Sequence, residues 1–360
     1  MRILVLAVPI GAGHIKAATA VTDAIQILDP SVKVRVEDCF KWVWSAYGQA
    51  YKKIYDYGQL HSHRLLKVLY SGADVKRGSS RLLSWFHKKT AVRFHRLLLE
   101  FQPDYVICAH FSPAYYASVY KREFGYRLGV VVTDYYVHPQ WINDPIDHFF
   151  IPHESLIKQM LRLGARSDRI FPLGLPVNPV FDLGIDAAKA RQRFAIDTNR
   201  IAAMVMGSRV FGGEWFELVR EIVDFDYDLF VLCGDNKAAM NQIKQLKGRA
   251  RLTTLGMVEK VYELMAASDI LITKAGGITS TEATKIGPCL LFTNSIPGLE
   301  DKNEDFFIEH GAAQRITVAN ARSVMEGLLS HPNIMKVLRQ NLLHMNKRRS
   351  AENIARVILS

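Results

Sequence analysis

Residues 3–14 read Ile-Leu-Val-Leu-Ala-Val-Pro-Ile-Gly-Ala-Gly-His, and their order sets the expectation for the first half of the chain. The apolar run is far shorter than the roughly 18 to 20 residues that span a bilayer. No basic n-region or small-residue cleavage site marks it as a leader, so it reads as a buried strand. Gly11 and Gly13 permit a tight turn and expose backbone N–H groups at the start of a helix. From Ile15 to about Leu28, Ala17, Ala18, Val21, Ala24 and Ile25 recur at helical spacing. Strand, glycine turn and helix in that order open a parallel sheet covered on both faces.

The alternation continues outward. Val32 to Glu37 alternates like a strand, residues 44–101 read as helices, and Tyr105–Cys108, Leu128–Val132 and His148–Ile151 read as buried strands. After Leu173, two prolines and a glycine in Gly174-Leu175-Pro176-Val177-Asn178-Pro179 break the pattern. It restarts with apolar runs at 201–206, 228–233, 251–255, 269–272 and 289–292. At 360 residues the chain is too long for one comfortable core. The expected architecture is therefore α/β, with two Rossmann-like domains. The first covers 1–173, a hinge 174–186, the second 187–340, and terminal helices of open placement 341–360.

A second glycine cluster sits in the second domain. After the strand Ile270–Thr273 comes Lys274-Ala275-Gly276-Gly277-Ile278-Thr279-Ser280-Thr281-Glu282, opening a helix. Glycines, hydroxyls and a helix N-terminus suit a phosphate, and Glu282 on the first turn could accept two ribose hydroxyls. The same residues also fit an ordinary cap, with Thr279 as N-cap and Glu282 as its capping-box partner. In the first domain, Gly13 and His14 face the crevice at the carboxyl end of the sheet, where ligands of such folds bind. The first turn lacks the complete dinucleotide fingerprint, although Glu37 and Asp38 leave a nicotinamide-dinucleotide reading open.

Charge is strongly localised. Between Lys41 and Arg96 there are twelve Lys/Arg against Asp56 and Asp74, which accounts for nearly all of the chain's net +11. Trp44, Tyr47, Tyr51 and Tyr55 follow i, i+3, i+7, i+11 spacing, one helical face. Further on, Arg81, Lys88, Lys89, Arg93 and Arg96 cluster with Trp85 on one side of a helix, while Phe94 and Leu97 lean to the other. Aromatic rings mixed with basic groups suit an anionic bilayer interface, and Trp44, Trp85, Lys88, Lys89, Arg93 and Arg96 are the expected membrane contacts. Packing of the rings on the domain core, with a solvated basic face, is the alternative. No recognition motif points to nucleic acid. Cys39, Cys108, Cys233 and Cys289 are scattered singly, without metal or disulfide spacing, so a cytoplasmic protein without a metal cofactor is expected.

Four motifs in order carry a family resemblance: Gly11-Ala12-Gly13-His14; Val132-Thr133-Asp134 with His138 and Trp141; Gly174-Leu175-Pro176-Val177; and Lys274 to Glu282. Together, across about residues 2–315, they resemble the monogalactosyldiacylglycerol synthase and processive diacylglycerol glucosyltransferase family. These are GT-B glycosyltransferases related to the peptidoglycan GlcNAc transferase. The resemblance implies two domains facing a cleft, an acceptor in the first and a UDP-sugar in the second, with no further cofactor. It makes His14 a candidate general base, with Gly13, Asp134, His138 and Trp141 beside the acceptor. It places Gly276, Gly277 and Thr279 against the diphosphate, Glu282 on the uridine ribose, and Glu300 and Asn303 toward the sugar or ribose. Ser208 and Arg209, in a turn less glycine-rich than the family's, would join the phosphate contacts, and Asn178 stands where relatives often carry a basic residue. The implied reaction moves a hexose from a UDP-sugar to diacylglycerol or a glycolipid, by an enzyme attached peripherally to the cytoplasmic face of the membrane. The alternatives are another lipid-linked or soluble acceptor, a UDP-sugar epimerase, or a non-catalytic UDP-sugar-binding protein.

Overall fold

A computed structural model describes residues 1–9, 13–42, 91–143, 145–207, 213–296, 298 and 300–360. The chain divides into two units, one made of Met1–Pro179 with Lys347–Ser360, the other of Val180–Asn346.

The first unit is built on a parallel six-stranded sheet of β1 (Arg2–Ala7), β2 (Lys33–Asp38), β3 (Tyr105–Cys108), β4 (Arg127–Val131), β5 (His148–Phe150) and β6 (Ile170–Phe171) in the order β2-β1-β3-β4-β5-β6. Around it lie α1 (Gly13–Leu28), α2 (Cys39–Trp42), α3 (Val92–Phe101), α4 (Phe111–Phe124) and α5 (Ile157–Arg162). The central strands end with no exposed face: Ile3–Leu6 and Tyr105–Cys108 are at most 2% exposed, whereas the edge strand β2 keeps exposed positions. Burying both faces explains why they are continuous apolar runs rather than alternating ones. α1 turns Ala17, Ala18, Ala20, Val21, Ala24 and Ile25 inward. α3 buries Phe94, Leu97 and Leu98 and exposes Arg93 and Arg96, together with Val92 and Leu99. Trp44, Trp85, Lys88 and Lys89 lie outside the described residues.

The second unit holds β7 (Ala202–Met206), β8 (Asp228–Leu232), β9 (Arg251–Leu255), β10 (Ile270–Thr273), β11 (Cys289–Phe292) and β12 (Ala313–Arg315), again all parallel, in the order β12-β11-β10-β7-β8-β9. Its helices are α6 (Ala187–Arg193), α7 (Gly213–Ile222), α8 (Lys237–Lys244), α9 (Val261–Ala267), α10 (Gly277–Ile286), α11 (Glu300–Glu309), α12 (Ala321–Ser330) and α13 (Pro332–His344). One layer of its core joins Val205, Leu229, Val231, Ile270, Ile272 and Leu291 to Trp215, Leu218 and Met325. Counted from its own first strand, this is the dinucleotide-fold order 3-2-1-4-5-6, while the first unit follows the 2-1-3-4-5 pattern. Both reverse direction beside their first strand, at β1/β3 and at β7/β10.

The terminal residues left open by the sequence have a definite place. α14 (Ser350–Leu359) packs on α1 and buries Ala351, Ile354, Ala355 and Ile358. The chain arrives there past Gly174, whose φ of +91° is left-handed and whose Cβ, if present, would lie 2.2 Å from Ser350 Oγ and 2.5 Å from Lys347 Cβ. Glycine in Gly174-Leu175-Pro176-Val177 is thus required by backbone shape and by close approach together. Two strands had no sequence signal, β6 of two residues and β12 of three. Both are short edge strands, too brief for any periodicity to show.

Candidate functional site

In the first unit the candidate residues meet where β1, β3 and β4 end. Ligands of open parallel sheets bind at such a reversal of strand order. His14 is the second residue of α1. Its Nδ1 lies 2.9 Å from the Ala109 carbonyl oxygen and 3.0 Å from Thr133 Oγ1. A carbonyl can only accept, so Nδ1 carries the hydrogen and Nε2 keeps the lone pair. Burial pushes the imidazole down from 6.5 to about 4, opposed by the bond to Ala109. The ring is therefore neutral at physiological pH, with its basic nitrogen open for a proton.

Around it stand groups from the neighbouring strands. His110 follows β3, is 3% exposed, and N-caps α4 by accepting the Ser112 N–H at 3.1 Å. Its ring lies edge-on to His14 at 4.7 Å between centroids, and burial, with the charge His14 would carry, holds it well below the ordinary histidine value. Phe111 packs 4.0 Å from His110 and 5.9 Å from Trp141. His138 caps the short turn Pro139–Trp141 by accepting from Gln140 N, which fixes Trp141 at 1% exposure. Asp134 is half-buried next to Thr133. Gly13 opens α1. Sequence reasoning thus assembled His14, Asp134, His138 and Trp141 but not His110 or Phe111. The strand order that brings β3 beside β1 is needed to find them. The signal was there in one respect, a histidine directly between an apolar run and a helix.

Glu37 and Asp38 are already engaged. Glu37 accepts from Arg35 Nε and Trp42 Nε1, both at 2.7 Å, and Asp38 Oδ1 caps the Phe40 N–H.

In the second unit the glycine cluster follows β10, and Thr273 Oγ1 donates to Met206 O at 3.1 Å, tying the ends of β10 and β7 together. α10 begins at Gly277 with Gly276 as N-cap. Gly276 has an ordinary φ of −73°, and a Cβ there would meet nothing within 4 Å. Neither strain nor packing demands glycine; its own N–H donates to the Lys274 carbonyl at 2.8 Å, so what the missing side chain provides is access to the N–H groups that follow at the N-terminus of a ten-residue helix. Two expectations need correction. Thr279 is not the N-cap, and Glu282 is not on the first turn: with the helix starting at Gly277, Glu282 is its sixth residue and 3% exposed. The capping box does not form, because Gly276 takes the cap three residues earlier.

The loop before α11 completes this half. Glu300 Oε2 accepts the Ile296 N–H at 2.8 Å and lies 3.4 Å from Lys274 Nζ. Asn303 is fully buried, and its Nδ2 donates to the Ala275 carbonyl at 2.9 Å. Asn303 therefore shapes the glycine loop from behind. Ser208 and Arg209 lie outside the described residues, and Asn178 is exposed.

Against known proteins, residues 14–177 match the family model described as monogalactosyldiacylglycerol (MGDG) synthase. A processive diacylglycerol beta-glucosyltransferase of Bacillus subtilis is 26% identical over 370 residues, covering 99% of this chain and 94% of its own. Among solved structures, a UDP co-structure of S. aureus MnaA superposes with a TM-score of 0.68 at 14% identity, covering 99% of this chain and 95% of that one. MurG of Acinetobacter baumannii does so with 0.65 at 11%, covering 99% of each. Residues 14–177 thus resemble the monogalactosyldiacylglycerol synthase family, and the chain shares the two-domain α/β fold of these solved structures.

Proposed function

We propose that this protein is a glycosyltransferase that moves a hexose from a UDP-sugar to the hydroxyl of diacylglycerol or a glycolipid at a membrane surface. The observation that carries the reading is His14, a neutral imidazole whose tautomer the Ala109 carbonyl fixes so that Nε2 keeps its lone pair, within the matched family domain. In this reading the acceptor O–H gives its proton to Nε2 while an oxygen lone pair bonds to the anomeric carbon. The bond from that carbon to the diphosphate breaks, and UDP leaves with its electrons. A single displacement of this kind inverts the anomeric centre.

UDP carries its charge on the diphosphate. The N–H groups of the first turn of α10, from Gly277 on, and the positive end of that helix are the chemistry that would receive it, with Lys274 close by. Glu282 on the uridine ribose, and Glu300 toward the sugar, belong to the same proposal. So do membrane contact through Trp44, Trp85, Lys88, Lys89, Arg93 and Arg96, and peripheral attachment at the cytoplasmic face. No helix among the described residues is long and apolar enough to cross a membrane, and the exposed Arg93 and Arg96 beside exposed Val92 and Leu99 on α3 fit an interfacial surface.

The test is a screen of UDP-glucose, UDP-galactose, UDP-GlcNAc and UDP-glucuronate against diacylglycerol, glucosyl-diacylglycerol and water-soluble alcohols, read by mass spectrometry and by UDP release. A glycolipid product is expected. UDP binding without turnover on any acceptor would make the protein a UDP-sugar-binding protein instead.

A further inference from the structure

Beside His14 stands a second imidazole with the complementary chemistry. His110 Nδ1 accepts the Ser112 N–H, so in the neutral ring the hydrogen sits on Nε2. In His14 it sits on Nδ1, facing the Ala109 carbonyl. Two rings 4.7 Å apart, one leaving β1 and the other β3, therefore hold opposite Nε2 atoms, a lone pair on His14 and an N–H on His110. Neither Nε2 has a hydrogen-bond partner among the described residues. The His110 Nε2–H is not sealed from solvent, so an incoming hydroxyl can take the place of water as its acceptor.

We propose that His110 is a second functional residue of the site, whose Nε2–H donates to the oxygen of the acceptor alcohol and holds its hydroxyl toward His14 Nε2. The inference rests on the glycosyl-transfer reading above. A hydroxyl has one hydrogen and two lone pairs. One lone pair takes the His110 N–H, the hydrogen goes to His14, and the remaining pair forms the bond to the anomeric carbon as UDP leaves with the electrons of the bond it loses. His110 keeps its proton throughout. The burial that holds both rings neutral preserves this donor and acceptor pairing at physiological pH.

Two variants separate the proposed role from capping. His110→Asn keeps a cap acceptor and an N–H donor, whereas His110→Ser keeps the cap and loses the donor's reach. With a short-chain, water-soluble acceptor, His110→Ser should lower kcat/KM for the acceptor by about 10²-fold, and His110→Asn should retain at least about a tenth of wild-type activity. Both should keep the wild-type melting temperature and UDP affinity. In ¹⁵N spectra at neutral pH, His110 should be the Nε2–H tautomer and His14 the Nδ1–H tautomer. Unimpaired His110→Ser, equal impairment of both variants, or an Nδ1–H tautomer at His110 overturns the role of His110 while leaving the transferase reading standing. Wild-type protein that transfers sugar to no alcohol overturns the transferase reading and this role with it.

Discussion

Lowering the pH from 7.5 to 5.5 should hardly affect the first encounter of this protein with its donor, although a histidine is the proposed base. With the His14 value near 4, about 97% of the ring is still neutral at pH 5.5, whereas at the ordinary 6.5 only about 9% would be, against about 91% at pH 7.5. The structure thus predicts a nearly flat kcat/KM for UDP-sugar, which reports the free enzyme, where an unperturbed histidine would give a loss of about tenfold. The cause is burial, so the same shift must appear in stability. The folded pKa lies below the unfolded one, and the unfolded chain binds more protons between pH 6.5 and 4. Stability therefore falls as pH drops through that window, by about 1.4 kcal/mol at pH 5.5 and about 3 kcal/mol by pH 4 from His14 alone. His110, depressed in the same direction, adds to it. The assays are UDP release with a water-soluble acceptor, and urea unfolding of wild type and His14→Gln at both pH values. The stability advantage of the wild type over His14→Gln should shrink on acidification. A tenfold activity loss with a midpoint near 6.5, or a difference in stability that does not change with pH, would refute the reasoning.

Other perturbations test single parts. Gly276→Ala, with an ordinary φ and open space at Cβ, should leave the melting temperature unchanged while weakening UDP binding by calorimetry. Gly174→Ala, at φ +91° with a contact of 2.2 Å, should cost at least about 1–2 kcal/mol of stability, seen as a lower melting temperature. Glu282→Ala should weaken UDP binding by about 1.5–3 kcal/mol if a charged hydrogen bond to the ribose is lost; unchanged affinity in a folded variant would remove Glu282 from the donor site. Changing Lys88, Lys89, Arg93 and Arg96 together to Gln should reduce sedimentation with anionic vesicles at low salt and spare activity on a water-soluble acceptor. Equal vesicle binding would argue against an electrostatic membrane contact.

The sequence by itself determined the alternation of strands and helices in both halves, the glycines that open α1 and α10, and His14 as the residue to watch. These are local properties. A strand buried on both faces must be a continuous apolar run, a helix facing a core must repeat its apolar residues at helical spacing, and a tight turn favours glycine. What only the tertiary structure decided was everything that depends on which strand lies beside which. The adjacency of β3 to β1 brings His110 and Phe111 to His14, though 96 residues separate the two histidines in the chain. The docking of α14 on α1 gives Gly174 its reason. The start of α10 at Gly277 rather than after Thr279 moved Glu282 into the second turn, because both caps satisfy the same local rules and only the surrounding packing chooses between them. Strand order and helix docking are settled by burial over a whole sheet, and no window of sequence contains that sum.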